Sequence, residues 1–225
     1  MNEDSIGTYY ILDLDRTLLD TEKAANVLRD VVARHNPQLA AALAQNVEDY
    51  SLHDKSFSMR DFILGQVGEP ETAEIEAAFM VAAARQDLVN AGARELMAFI
   101  ASLEDARFGI LTYGSASGQS MKIRAAGLDR VASLVTSIAF KGEQMSAWRG
   151  EDGRYHLPEV LGGFTANTIV LIDDKSFSFQ GLADDCRGYW VQQPRDAGRE
   201  SAVPHVVPVR GLIEVIDLEM ALLSN

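Results

Sequence analysis

Tyr9-Tyr10-Ile11-Leu12-Asp13-Leu14-Asp15-Arg16-Thr17 is an apolar run that ends in two aspartates, a cation and a hydroxyl. The four leading residues are apolar on consecutive positions. That is the pattern of a strand buried on both faces, as in a parallel sheet covered by helices. Alternate side chains at a strand exit can face the same way, so this exit brings Asp13 and Asp15 to one site. The other reading is a solvated turn in which Asp15 or Thr17 caps a helix.

Working outward, similar runs recur at Phe108–Leu111, Ser133–Ile138, Thr168–Ile172, Tyr189–Val191 and His205–Val207. Helix-like segments separate the later ones: Ser120–Ala126, Phe177–Asp184 and Leu212–Leu223. Alternation of strand and helix predicts an α/β fold. The interval from Asp20 to about Ala91 breaks that alternation. It contains no convincing strand and reads as helices over Thr21–Arg34, Gln38–Gln45, Met59–Gln66 and Glu71–Leu88. Ile75, Phe79, Ala82 and Ala83 recur at helical spacing, and Pro37 and Pro70 stand where helices can start. Ala93–Leu103 resumes as the helix leading into Phe108.

The chain has 225 residues, one sizeable core and about half a domain more. With 33 acids against 20 bases its formal charge is −13, which argues against sequence-independent nucleic-acid binding and against an anionic membrane surface. No apolar run approaches the roughly 20 residues of a membrane span. The acidic start Met1-Asn2-Glu3-Asp4 lacks the profile of a signal peptide. A single cysteine, Cys186, excludes an internal disulfide and suits a reducing cytosol. The expectation is a cytoplasmic protein with a small-molecule partner.

Three more stretches carry chemistry. Asp173 and Asp174 end the run Thr168–Ile172, at the strand edge where open α/β sheets bind ligands. Two adjacent acids there repel each other unless a cation neutralises them. Thr112 ends the run Phe108–Leu111, and Gly114-Ser115 then opens a helix whose free N–H groups suit an anion such as phosphate. Lys141 follows the Ser133–Ile138 run; Lys175, beside the second acid pair, is its rival, and Lys122, inside a helix, reads as structural. Asp184-Asp185 reads as a solvated pair. The four histidines are scattered and make no metal-ligand spacing.

In order and placement, these elements resemble the four motifs of the haloacid dehalogenase superfamily. Asp13-Leu14-Asp15-Arg16-Thr17 is similar to the first motif, Asp-x-Asp-x-Thr; Thr112 matches the second, Lys141 the third and Asp173-Asp174 the fourth. Arg16 stands where many relatives have Gly, and Gly142 where a Pro often follows the lysine. The resemblance implies a Rossmann-like parallel sheet with helices on both faces, built from residues 1–18 and 91–225, with an all-helical cap over 19–90. It also implies Mg²⁺-dependent hydrolysis of a small phosphorylated metabolite.

Asp13 is then the nucleophile and Asp15 the acid and base. Asp13, the Asp15 backbone carbonyl and Asp173 bind the metal; Asp174 orients metal-bound water or Lys141; Thr112 and Lys141 hold the phosphoryl oxygens. Arg16, Gly114 and His53, the last in a polar stretch Ser51–Ser58, are candidate substrate contacts; that stretch also reads as a plain helix connection. Trp148–Tyr155 reads as a small hairpin with an Asp-Gly turn. The alternatives are phosphoryl transfer of the mutase type, cleavage of a carbon–halogen or carbon–phosphorus bond, and a non-catalytic binding or regulatory protein on the same scaffold. A Walker-type lysine loop and Gly-x-Gly-x-x-Gly are both missing, which sets aside other nucleotide-binding folds.

Overall fold

A computed structural model describes residues 5–51 and 57–224, with side chains over 5–46 and 57–224. The described strands are β1 (Ser5–Leu12), β2 (Ala106–Tyr113), β3 (Ser133–Thr136), β4 (Tyr155–His156), β5 (Thr165–Asp173), β6 (Arg187–Val191) and β7 (Val206–Val209). Six of them form a parallel sheet in the order β3-β2-β1-β5-β6-β7, and β4 pairs antiparallel with the start of β5. Leu12 is in register with Ile110 on one side and with Ile172 on the other. The chain therefore builds outward from β1 in one direction and then, from β5, in the other. The carboxyl ends of β2, β1 and β5 meet at this reversal of strand order, the crevice where such sheets place ligands.

Consecutive apolar residues in the strands divide between two cores. Tyr10, Leu12, Ile110, Val170 and Ile172 pack on one face; Tyr9, Ile11, Leu111, Ile169 and Leu171 pack on the other. The first face is covered by α4 (Ala93–Ser102), α5 (Ala116–Ala125) and α7 (Leu212–Leu223). The second is covered by the short α6 (Lys141–Ser146), the Tyr155–Leu161 segment and a 3-10 turn at Ser176–Phe179. The helix expected over Phe177–Asp184 is only that turn. Gly181 takes φ 74°, a left-handed backbone that ends the helical path, and an added Cβ there would lie 2.5 Å from Glu143 Cγ.

Between β1 and β2 lie α1 (Thr21–His35), α2 (Pro37–Ser51) and α3 (Met59–Ala83), within the interval expected to be helical. Asp20 caps α1 by accepting from Lys23 N–H at 3.0 Å, and Ser58 caps α3 by accepting from Asp61 N–H at 3.3 Å; such caps contribute about 1 kcal/mol each. The two helices expected on either side of Pro70 run on as one element broken at Gly68, φ 76°. Its second half stops at Ala83 rather than Leu88, because the chain must return to the sheet. Leu19 bridges Val89 antiparallel, and Asn90 Nδ2 donates to Thr17 O (2.9 Å) and Leu19 O (3.2 Å). The outgoing and returning segments are thus clamped side by side. Leu14, Leu18, Leu19, Leu28, Val31, Ile75 and Phe79 continue the core of the first sheet face into the helical block. Among the described residues no helix is long and apolar enough to cross a membrane.

Candidate active site

Asp13 lies one residue past β1 and prolongs the ladder, its N–H donating to Ile172 O at 2.9 Å. The chain then turns sharply: Leu19 N–H donates to Leu14 O and Arg16 N–H to Leu19 O. Arg16 adopts φ 62° in this turn. That left-handed backbone is one that Gly adopts freely; the arginine bears a strain of about 1 kcal/mol. Thr17 is fully buried beneath the turn.

The turn leaves Asp13 buried beside the end of β5. Lys141 Nζ donates to Asp13 Oδ1 and, at 2.6 Å, to Asp173 Oδ2. Asp173 Oδ1 accepts the Lys175 backbone N–H at 2.8 Å. Of the two rival lysines, Lys141 is thus the one whose ammonium reaches the acids; Lys175 Nζ lies 5.9 Å from the centre of the Phe177 ring. Carboxylate oxygens of Asp13, Asp173 and Asp174 lie within 4.8 Å of one another. Both Asp174 oxygens are buried without a hydrogen-bond partner, while its backbone carbonyl accepts Trp190 Nε1–H at 3.0 Å.

The electrostatics follow from crowding. Burial lifts Asp13 to about 6, with Lys141 pulling down and Asp173 and Asp15 pushing up. Burial lifts Asp174 to about 8, helped by Asp13 and Asp173. Burial opposes the charge on Lys141, but Asp13 and Asp173 outweigh it and hold the ammonium above its ordinary range. With all three carboxylates ionised, one ammonium would leave two negative charges uncompensated, an arrangement that suits a divalent cation bound by oxygen ligands.

Asp15 stands apart from that cluster. Lys122 Nζ donates to both of its carboxylate oxygens at 2.8 Å; Gln119 Nε2 (2.9 Å) and Thr21 Oγ1 (2.9 Å) complete the set. Burial would raise its pKa, but Lys122 first, then Gln119 and Thr21, outweigh it and hold the carboxyl below its ordinary value. The Asp15 side chain is thus held by α5 and α1 rather than turned into the cluster of Asp13, Asp173 and Asp174. Lys122, read as structural, lies inside α5, and α5 turns it towards the end of β1, 107 residues away in sequence. Thr112 is buried, its Oγ1 2.9 Å from Gln119 Nε2. Asp184 and Asp185 are both exposed, in keeping with a solvated pair; Asp185 in addition accepts from Tyr155 Oη at 2.6 Å and pairs with Arg149 at 2.8 Å.

Two spaces meet at Asp15. A small one, about 10 Å³, is bordered by Asp13, Asp15, Thr112, Lys141 and Lys175. A large one, about 480 Å³, lies among α1, α3 and α5, with Arg16, Gly114 and Lys122 on its polar side and Leu28, Phe79 and Met121 on its apolar side. The helical block is tied down over it: Ser117 Oγ donates to Asp61 Oδ1 at 2.6 Å, and Ser115 Oγ to Ser58 Oγ at 3.1 Å. Residues 52–56 of the polar stretch, His53 among them, lie outside the described residues.

No family model matches the sequence, and no curated protein matches it. Solved structures do match. A haloacid dehalogenase-like hydrolase from Burkholderia xenovorans superposes with a TM-score of 0.64 at 18% identity, over 97% of this chain and 99% of that one. A 2-haloacid dehalogenase from Pseudomonas syringae gives 0.52 at 18% identity, over 96% and 99%. CbbY from Rhodobacter sphaeroides, in complex with xylulose 1,5-bisphosphate, gives 0.52 at 18% identity, over 93% and 96%. The chain has the fold of the haloacid dehalogenase-like hydrolases.

Proposed function

We propose that the protein is an Mg²⁺-dependent phosphomonoester hydrolase of the haloacid dehalogenase superfamily, with residues 19–90 as its cap, acting in the cytoplasm on a small phosphorylated metabolite. The observation that carries this reading is the buried cluster of Asp13, Asp173, Asp174 and Lys141 with Asp15 at its edge. The orphaned oxygens of Asp174 support a cation there. Asp13, Asp173, Asp174 and the Asp15 carbonyl would hold it. When bound, Mg²⁺ supplies charge neutralisation and orientation of the phosphoryl oxygens.

The chain's own residues do the rest. Lys141 and Thr112 bind phosphoryl oxygens and offset the charge that develops on them. An Asp13 oxygen attacks phosphorus, the ester P–O bond breaks, and an aspartyl-phosphate forms. Asp15 protonates the departing alkoxide. Because its carboxyl is held below its ordinary value, Asp15 relays to the alkoxide, as the P–O bond breaks, the proton that the monoanionic substrate carries, the second ionisation of such an ester lying near pH 6. Asp15 then takes a proton from the water that attacks the aspartyl-phosphate, releasing phosphate and regenerating Asp13. The large cavity beyond Asp15 gives the leaving alcohol its place, and the helical block over it excludes water.

The test is phosphate release from a panel of metabolite phosphomonoesters with Mg²⁺. Asp13→Asn is expected to fold and to lose at least about 1000-fold in rate. Wild-type turnover by that variant sinks the nucleophile assignment. Free chloride from a 2-haloacid would favour a dehalogenase, isomerised sugar phosphate would favour a mutase, and Mg²⁺ binding without turnover would favour a regulatory module.

A further inference from the structure

Asp15 must present its carboxyl group to the leaving oxygen, yet the turn that carries it is exposed at Arg16. A flexible loop alone would let that carboxyl swing. In the structure it cannot: Lys122 contacts both oxygens at 2.8 Å, and Gln119, one helical turn earlier on the same face of α5, donates at 2.9 Å. Gln119 Nε2 also lies 2.9 Å from Thr112 Oγ1 and from Tyr113 O. The same side chain therefore references Asp15 to the phosphoryl-binding end of β2. Gly114 makes the approach possible, since a Cβ there would lie 3.1 Å from Gln119 Nε2. The N-terminus of α5 is itself fixed by Ser115, which accepts Gly118 N–H at 3.1 Å. The Lys122 side chain is mostly buried and ion-pairs with Asp15.

From this geometry we infer that Lys122 is the positioning residue for Asp15, with Gln119 as its auxiliary. Together they aim the Asp15 carboxyl at the leaving-group oxygen at the junction of the small and large spaces. Lys122 pairs with Asp15 rather than with the nucleophile Asp13; it also borders the large space, but its part in proton delivery runs through Asp15. The inference deepens the phosphatase reading and rests on it. It makes a demand that a purely structural lysine does not. Loss of Lys122 must hurt substrates in proportion to their need for a proton on the leaving oxygen. An alkoxide needs that proton; p-nitrophenolate leaves without it.

The experiment compares kcat/KM, which reads only through aspartyl-phosphate formation, for an alkyl phosphate (glycerol phosphate or the best substrate of the panel) and for p-nitrophenyl phosphate. Lys122→Met is expected to lower the alkyl value by roughly tenfold or more and the aryl value by about twofold or less. Lys122→Arg, whose fork reaches both carboxylate oxygens, is expected to recover most of the alkyl loss. If Lys122→Met does not fold, Lys122→Gln is compared in the same way. Equal losses on the two substrates, or none on either, overturn the positioning role while the phosphatase reading stands. A wild type that releases phosphate from neither substrate overturns both.

Discussion

Asp174 is the residue most out of balance with its surroundings. Both oxygens are buried without a partner, and burial together with Asp13 and Asp173 lifts its pKa to about 8. A carboxyl whose proton affinity rises on folding weakens the fold as pH climbs from its unfolded range near 4 towards 8, because ionisation then costs more in the folded state than in the unfolded one. Asp174→Asn removes that penalty. Without Mg²⁺ the variant is expected to melt above the wild type, by a margin that widens as pH rises from about 4 to about 8. Adding Mg²⁺ at roughly 100 times its dissociation constant should stabilise the wild type by about 2.7 kcal/mol and the variant by less. Scanning calorimetry across pH, with and without Mg²⁺, checks this. A wild type whose melting point ignores both Mg²⁺ and the substitution would remove the case for a cation at this cluster. At the same scale, the acids and Lys141 were legible in sequence because each follows an apolar run at a strand end. Lys122 and Gln119 were not, because their relevance depends on which face of α5 meets β1.

At the scale of elements, α6 shows how backbone contact sets a side chain. A Cβ on Gly142 would lie 2.6 Å from Gln180 O, 2.7 Å from Leu182 N and 2.9 Å from Phe179 O. All three are backbone atoms of the turn that follows β5, so no rotamer change relieves the clash. This accounts for the departure at position 142: here the residue after the lysine has to be the smallest one. Gly142→Ala is expected to push α6 off the turn, costing about 1–3 kcal/mol, and to pull Lys141 from Asp13 and Asp173. Phosphate release should then fall by about tenfold or more. An alanine variant with unchanged melting temperature and turnover would show that α6 is not held by this contact. The turn also explains the main error in the helix pattern. Phe177–Asp184 carries helix-forming residues, but Gly181 sits left-handed against Glu143, a long-range contact that local periodicity does not report.

At the scale of the whole molecule, the chain's C-terminal helix is locked to the centre of the sheet through one acid. Glu219 on α7 accepts from Tyr10 Oη (2.5 Å), Tyr189 Oη (2.6 Å) and both ends of the Arg187 guanidinium (2.9 Å each). Burial would raise its pKa, but Arg187, Tyr10 and Tyr189 outweigh it and hold it below the ordinary value. A depressed carboxyl contributes stability that is present above its unfolded pKa and lost as pH falls through the folded one. Glu219→Gln is expected to cost about 2 kcal/mol near pH 7, or roughly 4–8 °C in melting temperature, with the gap from wild type closing below about pH 4. A gap that persists unchanged into acid would assign the loss to packing rather than to the charge.

The sequence by itself determined the alternation that makes an α/β sheet, the interruption by helices after the first strand, and the acids and hydroxyl at the strand ends. These are local properties: an apolar run, a period and a terminus can be read without knowing what lies across the sheet. The tertiary structure alone decided which lysine meets which acid, why Gly142 is small and Arg16 left-handed, and that Asp15 is held from α5. Asp13 and Asp15 are met by residues more than 100 positions away, Gly142 by backbone atoms of residues 179–182 and Arg16 by its own turn; only the folded chain specifies such contacts.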